Sequence, residues 1–374
     1  MKDKKVLICD PMSSRNSVQF SLLKMVLKIV GSEGTTVISP FIPNDKMEYF
    51  RSTPNVIAIS LSNRKLALRF LYKMFERNEA MLWAISWLIE SLFRGNSSII
   101  VAHDVNAHSK VVNLAYTLPL PSDLYWNQAT PPLKTLQMMK ANPIAPILAK
   151  TLGPVITILD DKLMTRHKNL TKKIVNNSDY LKETYRGKKF YSKEVLHVPK
   201  EFPSLTFENT APTQDYVLAY IGKEIEVEVL LEMVKLGIKI VAFGSKIPFG
   251  TPLGKLKQKV DFRGYVEESE LSILYRNALY TAFPFTEEPF GWVPLESMFY
   301  GTPVLSYNKQ GPAETIIDQK TGWLVDNRNE FLQKALSIWK GKFTGMDSES
   351  CMERAKYFSL ENAKIKLNEI LTGV

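Results

Sequence analysis

The chain has 374 residues, with 48 Lys and Arg against 38 Asp and Glu, a formal net charge of +10. Apolar residues at 45% and charged residues at 23% exclude a disordered or fibrous chain, and the length exceeds one ordinary core, so two domains are expected. No apolar run reaches the roughly 18 residues of a membrane span, and Cys9 and Cys351 suit neither a disulfide scaffold nor a thiolate-held metal, which fits a reducing cytoplasm.

At the start, Val6-Leu7-Ile8-Cys9 is followed at once by Asp10, the pattern of a first strand rather than a leader. Short β-branched runs predict strands at 6–9, 35–39, 56–60, 98–102, 155–159, 194–198, 216–221, 239–243, 279–283 and 303–306. Amphipathic stretches between them, such as 18–30, 227–236 and 268–277, predict helices. This alternation predicts an α/β fold of parallel sheets covered on both faces. Asp160-Asp161, closing the 155–159 run, reads as a helix N-cap. The Pro-rich stretch 118–133 reads as a loop, and 199–215, with Pro199, Pro203 and Pro212, as the interdomain linker. The resulting division is a domain at 1–203, a second at 204–355 and a closing segment at 356–374 with a helix near 360–371. Residues 1–200 carry a net +14 and residues 201–374 a net −4. A basic half faces an anionic membrane, a phosphorylated acceptor or nucleic acid, or serves solubility alone.

Within 64–93, Lys65, Arg69, Lys73 and Arg77 recur every fourth residue, the spacing of one helix face, with Leu66, Phe70, Leu71, Met74 and Phe75 among them and Trp83 and Trp87 beyond. That is the composition of a helix lying on an anionic membrane, or of a core helix with a solvated basic face. No nucleic-acid motif accompanies the charge, so nucleic acid is not the expected partner.

The most informative segment is 280–326. A strand ends near Pro284, a short loop carries Glu287, Glu288 and Pro289, and a helix is predicted from Gly291 to Tyr300, stopped by Gly301 and Pro303. Free amides at a helix start attract phosphate, and Phe290, Gly291 and Trp292 supply them here. Glu288 and Glu296 flank that start, suited to hydroxyls on either side of a diphosphate.

Glu288 and Glu296 form a Glu-x7-Glu pattern within Glu-Pro-Phe-Gly-Trp-Val-Pro-Leu-Glu-Ser-Met-Phe-Tyr-Gly-Thr-Pro-Val. Together with Phe262-Arg263-Gly264-Tyr265-Val266, Gln310-Gly311-Pro312-Ala313-Glu314 and Thr321-Gly322-Trp323-Leu324-Val325, the segment resembles the retaining family-4 glycosyltransferases of the GT-B fold. The resemblance implies two Rossmann-like domains facing across a cleft. It implies a nucleotide-diphosphate sugar as donor, with Glu288 on sugar hydroxyls, Glu296 on the ribose and the amides after Phe290 on the diphosphate. His103, in Val101-Ala102-His103-Asp104, matches the family's His facing the donor sugar, with His108 the lesser candidate. Lys223 falls where the family carries an Arg for the diphosphate, while the family's second basic residue is absent; Gly244-Ser245-Lys246 lies nearby, with Lys246 the candidate to compensate. The loop Asp10–Ser17 lacks the family's paired Gly.

The resemblance further implies a retaining hexosyl transfer with no protein nucleophile, no metal and no cofactor. The leaving diphosphate takes the acceptor proton, and the protein positions the groups and stabilises charge. Lipid-modifying relatives imply a polyprenyl or other lipid-linked acceptor and a peripheral place on the membrane's cytoplasmic face. They also imply a last helix that returns to the first domain. Two rival readings are a sugar-nucleotide-binding pseudoenzyme and a GT-B sugar-nucleotide epimerase.

Overall fold

A computed structural model describes residues 4–14, 17–92, 110–138, 145–188, 190–202, 213–222, 225–244, 252–285, 287–342 and 345–372. The chain divides into two compact units. The first comprises Met1–Thr135, Leu148–Pro199 and Leu360–Val374; the second comprises Leu136–Ile147 and Lys200–Ser359.

The first unit is built on a six-stranded parallel sheet of β1 (Lys5–Ile8), β2 (Thr35–Ser39), β3 (Val56–Ser60), β4 (Lys110–Asn113), β5 (Ser122–Asn127) and β6 (Thr171–Asn176), in the order β3-β2-β1-β4-β5-β6. The second holds β7 (Val217–Ile221), β8 (Ile240–Gly244), β9 (Asp261–Gly264), β10 (Thr281–Phe283), β11 (Val304–Tyr307) and β12 (Gly322–Val325). Its order is β12-β11-β10-β7-β8-β9, again all parallel. Both sheets therefore have the doubly wound order, whose winding reverses between β1 and β4 in one and between β7 and β10 in the other. Ligands of such sheets bind beyond the carboxyl ends of the strands at that reversal. In the second unit these ends lead to Gly222 and to the loop at Glu287–Gly291.

Central strands are nearly continuous apolar runs because both faces are covered; Val217, Leu218 and Ala219 of β7 and Ala282 and Phe283 of β10 are fully buried. The helix Leu360–Thr372 groups with the first unit, packing on the helix Val18–Val30.

Four expectations are corrected. Residues 155–159 are not a strand but part of the helix Ala145–Leu170, which runs through Pro154. Ile156 and Leu159 continue through buried Leu163, Met164 and His167 at helical spacing, and that packing overrides β-branched propensity. Asp160 is consequently mid-helix and buried rather than an N-cap; it accepts from the Tyr116 hydroxyl at 2.9 Å and from Trp87 Nε1 at 3.3 Å. The stretch 118–133 contains β5, entered after Pro121, as well as the beginning of the helix Pro132–Met138. Residues 194–198 form only an isolated bridge, Val195 to Asn176. Strands β4, β6, β9 and β12 had not been expected; β6 and β9 are sheet edges that carry Lys172, Lys173 and Arg263, where charge is common. The strand expected at 98–102 lies outside the described residues.

Candidate functional site

The helix Trp292–Phe299 starts where the β10 loop ends. Gly291, its N-cap, has φ +95°, a left-handed conformation that favours glycine. Pro294 falls in the first turn, where no intrahelical N–H bond is lost. Leu295 and Met298 face the core, and the Ser297 hydroxyl, 2.7 Å from Thr281 Oγ1, ties the helix to β10. Trp292 and Glu296 occupy another face.

Glu288 does not stand away from the helix start. Its Oε1 accepts from the Gly291 N–H at 3.0 Å and the Phe290 N–H at 3.3 Å. The amides expected to take a phosphate thus carry the chain's own carboxylate. The Phe290 ring is buried, edge-on to Phe358, so it anchors the loop to the core. A second clamp comes from the β11 side. Gln310 Oε1 accepts the Glu288 N–H at 2.7 Å, Gln310 Nε2 donates to Glu287 Oε2 at 2.8 Å, and the Gly311 N–H donates to Glu288 O at 3.0 Å.

Glu296 has two partners. Its Oε2 accepts from the Tyr275 hydroxyl at 3.1 Å, and its Oε1 lies 2.6 Å from Lys200 Nζ. Burial, and then the Glu296 charge, push the Tyr275 phenol well above the usual tyrosine range, so it remains a donor. Gly244 closes β8 with φ +126°; a Cβ there would meet Ile221 O at 2.4 Å, so β7 and β8 end in close backbone contact. The structure therefore brings Glu288, Phe290, Gly291, Trp292 and Glu296 together on one helix and its entry loop. Lys223, Lys246, His103 and His108 lie outside the described residues. Lys200 was missed; its partner is 96 positions away in sequence, and no local pattern marks it.

In the first unit Asp10, at the end of β1, is buried and accepts from the Tyr116 N–H (3.0 Å), the Thr117 N–H (2.9 Å) and the Thr117 hydroxyl (2.6 Å). Burial pushes its carboxyl up to about 6. The start of the helix Val18–Val30 is also filled: Glu79 accepts from the Val18 and Gln19 amides and the Ser17 hydroxyl, each at 3.0 Å.

The expected basic stripe is broken. The helix Leu66–Met74 contains Arg69 and Lys73, Lys65 is its extended N-cap, and Arg77 lies in a turn before the helix Glu79–Leu92. All four basic residues are exposed. So are Leu66 (84%), Phe70 (68%) and Met74 (62%), which align on one helix face. Among the described residues no helix is long and apolar enough to cross a membrane, and no three His, Cys, Asp or Glu cluster as a metal site.

The family described as Glycosyl transferases group 1 matches residues 254–343. The alpha-1,3/1,6-mannosyltransferase ALG2 of Kluyveromyces lactis is 27% identical over 255 residues, 61% of this chain and 48% of that protein. The ALG2 of Neurospora crassa is 48% identical over 54 residues, 14% of this chain and 12% of its own length. The chain thus matches less than half the length of either relative. Among solved structures, Anabaena Alr3699/HepE in complex with UDP and glucose superposes with a TM-score of 0.64 at 13% identity, covering 99% of this chain and 100% of that one. WaaG, a glycosyltransferase involved in lipopolysaccharide biosynthesis, gives 0.61 at 14% identity over 99% and 100%. Residues 254–343 thus resemble a glycosyl transferases group 1 domain, and over nearly its whole length the chain shares the GT-B fold of these solved structures.

Proposed function

We propose that the chain is a retaining hexosyltransferase that moves a sugar from a nucleotide-diphosphate donor to a lipid-linked acceptor, with the second unit holding the donor. The observation that carries this reading is the placement of Glu288 and Glu296 about the start of the helix Trp292–Phe299, at the β7–β10 reversal. In this reading Glu288 leaves its amides to meet sugar hydroxyls, the freed N–H groups receive the diphosphate, and Glu296 takes the ribose. The family resemblance adds Lys223 as a candidate for the diphosphate and His103 as a candidate for the sugar. The leaving diphosphate takes the acceptor proton, so the protein's contribution is position and charge stabilisation, without a metal or cofactor. The relatives' name makes a mannosyl donor the first to try.

The acceptor side rests on the helix Leu66–Met74. Exposed Leu66, Phe70 and Met74 flanked by Lys65, Arg69, Lys73 and Arg77 suit an anionic membrane surface, in keeping with peripheral attachment at the cytoplasmic face. Vesicles with and without anionic lipid separate this from a merely solvated helix. Equal sedimentation of wild type and a variant with these four basic residues changed to Ser would sink the membrane assignment.

The donor assignment is tested by thermal shift with UDP-, GDP- and ADP-sugars and the free diphosphates, on wild type and Glu296→Ala. One nucleotide series should stabilise wild type and leave the variant nearly unmoved. No shift from any nucleotide would overturn it. Appearance of a transferred sugar, rather than donor binding alone, distinguishes a transferase from a binder.

A further inference from the structure

Lys200 opens the second unit directly after Pro199. Its N–H donates to Phe358 O at 3.0 Å and it bridges to Ser359, so its backbone is fixed beside the end of the helix Ser348–Lys356. Lys200 reaches Glu296 Oε1 at 2.6 Å and sits 5.5 Å from the centre of the Trp292 ring, while Phe202, two residues on, stacks on Phe299 at 4.1 Å. Trp292, Glu296 and Phe299 form one face of that helix at spacings of four and three. The ammonium is therefore held at a carboxylate and an aromatic face, on a backbone that is itself anchored.

Two consequences follow for the carboxylate. With Tyr275 on one oxygen and Lys200 on the other, Glu296 is oriented before any ligand arrives. Its charge is also balanced. By the helix rise, Glu296 lies about 7 Å along the axis from Gly291, inside the roughly 8 Å over which salt leaves charges visible to one another. An unbalanced carboxylate at that distance would repel a diphosphate at the helix start.

We propose that Lys200 is a positioning residue of the donor site. It holds the Glu296 carboxylate in place for the nucleotide's ribose and cancels its charge towards the diphosphate. The proposal rests on the reading of Glu296 as the ribose contact.

The test is calorimetric binding of UDP, GDP and ADP to wild type, Lys200→Met, Lys200→Arg, Glu296→Gln and the Lys200→Met/Glu296→Gln double variant. The pair is partly exposed and screened, so Lys200→Met should weaken the preferred diphosphate about five- to tenfold in low salt. The loss should shrink in about 500 mM salt, where charges are hidden beyond a few ångström. Lys200→Arg should keep most of the affinity, and in the Glu296→Gln background Lys200→Met should add less than about twofold. A structural role alone would not produce that salt dependence or that vanishing in the double variant. Should Lys200→Met unfold, Lys200→Gln gives the same cycle with a shorter neutral side chain.

If Glu296→Gln binds as tightly as wild type, or wild type binds none of the three, the ribose reading falls and this inference with it. If Glu296→Gln binds weakly while Lys200→Met binds normally, or loses the same affinity in both backgrounds, the ribose reading stands and the role of Lys200 is refuted.

Discussion

Replacing Gly311 by Ala puts a methyl group where there is no room. The new Cβ would lie 2.2 Å from Phe290 Cα and 2.3 Å from its carbonyl carbon and oxygen. These are backbone atoms, so no side chain can turn away. Either the β11 segment or the Glu288–Gly291 loop must move. Movement strains the Gly311 N–H to Glu288 O bond and the Gln310 bond to the Glu288 N–H, each contributing about 1 kcal/mol. Overpacking of a tight contact costs a further 1–3 kcal/mol, roughly. The expected loss is therefore about 3–5 kcal/mol of the second unit's stability, read by urea denaturation. The surviving folded protein should bind nucleoside diphosphates at least about tenfold more weakly, because the displaced residues form the helix entry. Gly341→Ala serves as control: nothing lies within 4 Å of its would-be Cβ, and alanine is the better helix former there. A Gly311→Ala variant within about 1 kcal/mol of wild type, with binding intact, would refute the claim that this contact sets the loop.

Three further outcomes are expected. His167 is buried, its Nε2 2.8 Å from Tyr116 O, and burial pushes it down to about 4; the neutral ring's stabilising contribution is complete above the unfolded value near 6.5 and lost as pH falls towards 4. Wild type should thus lose about 2 kcal/mol more than His167→Gln between about pH 7 and pH 5, and parallel curves in denaturant titrations would contradict this. Buried Asp10 and Asp160, both raised to about 6, act oppositely: their contribution is present below about 3.8 and lost as pH rises through 6, which is why the comparison is made between variants. Tyr275→Phe removes one of two partners of Glu296 and should weaken nucleotide binding severalfold while costing about 1 kcal/mol of stability, measured by calorimetry and denaturation. Leu66→Ser with Phe70→Ser should leave the thermal midpoint within a few degrees, since both side chains are exposed, but abolish vesicle sedimentation; a midpoint lowered by ten degrees or so would mean that the face is covered within the fold.

Much of the second unit was legible because its strands are short, apolar and bounded by Gly or Pro. β7 and β8 came within a residue of their observed limits, and the helix after Gly291 was marked at both ends, by Gly291 and Gly301. The misread elements have a common cause. Val155-Ile156-Thr157-Ile158-Leu159 is strand-like taken alone, and only the buried residues up to His167 reveal the helical period. The basic stripe was extrapolated through Arg77, although Asn78, whose Oδ1 accepts the Met81 N–H at 3.2 Å, announces a new helix. At the site, residue types and spacing gave the helix start and its two carboxylates. They could not show that Glu288 folds back onto the amides, nor that Lys200 arrives from another part of the chain, because both depend on tertiary geometry.

The carboxylate seated on the Phe290 and Gly291 amides also bears on how quickly such a site clears. A phosphate arriving there meets a competitor that is covalently tethered, and so present at an effective concentration no dissolved anion matches. The price is a weaker grip on any incoming phosphate. In exchange, each departure is assisted, since Glu288 re-forms its two bonds as the phosphate loosens. Product release often limits turnover in enzymes of ordinary speed. Under the proposed function, a helix start that carries its own displacing group shortens the dwell time of a spent diphosphate and keeps the empty protein from collecting phosphate from its surroundings.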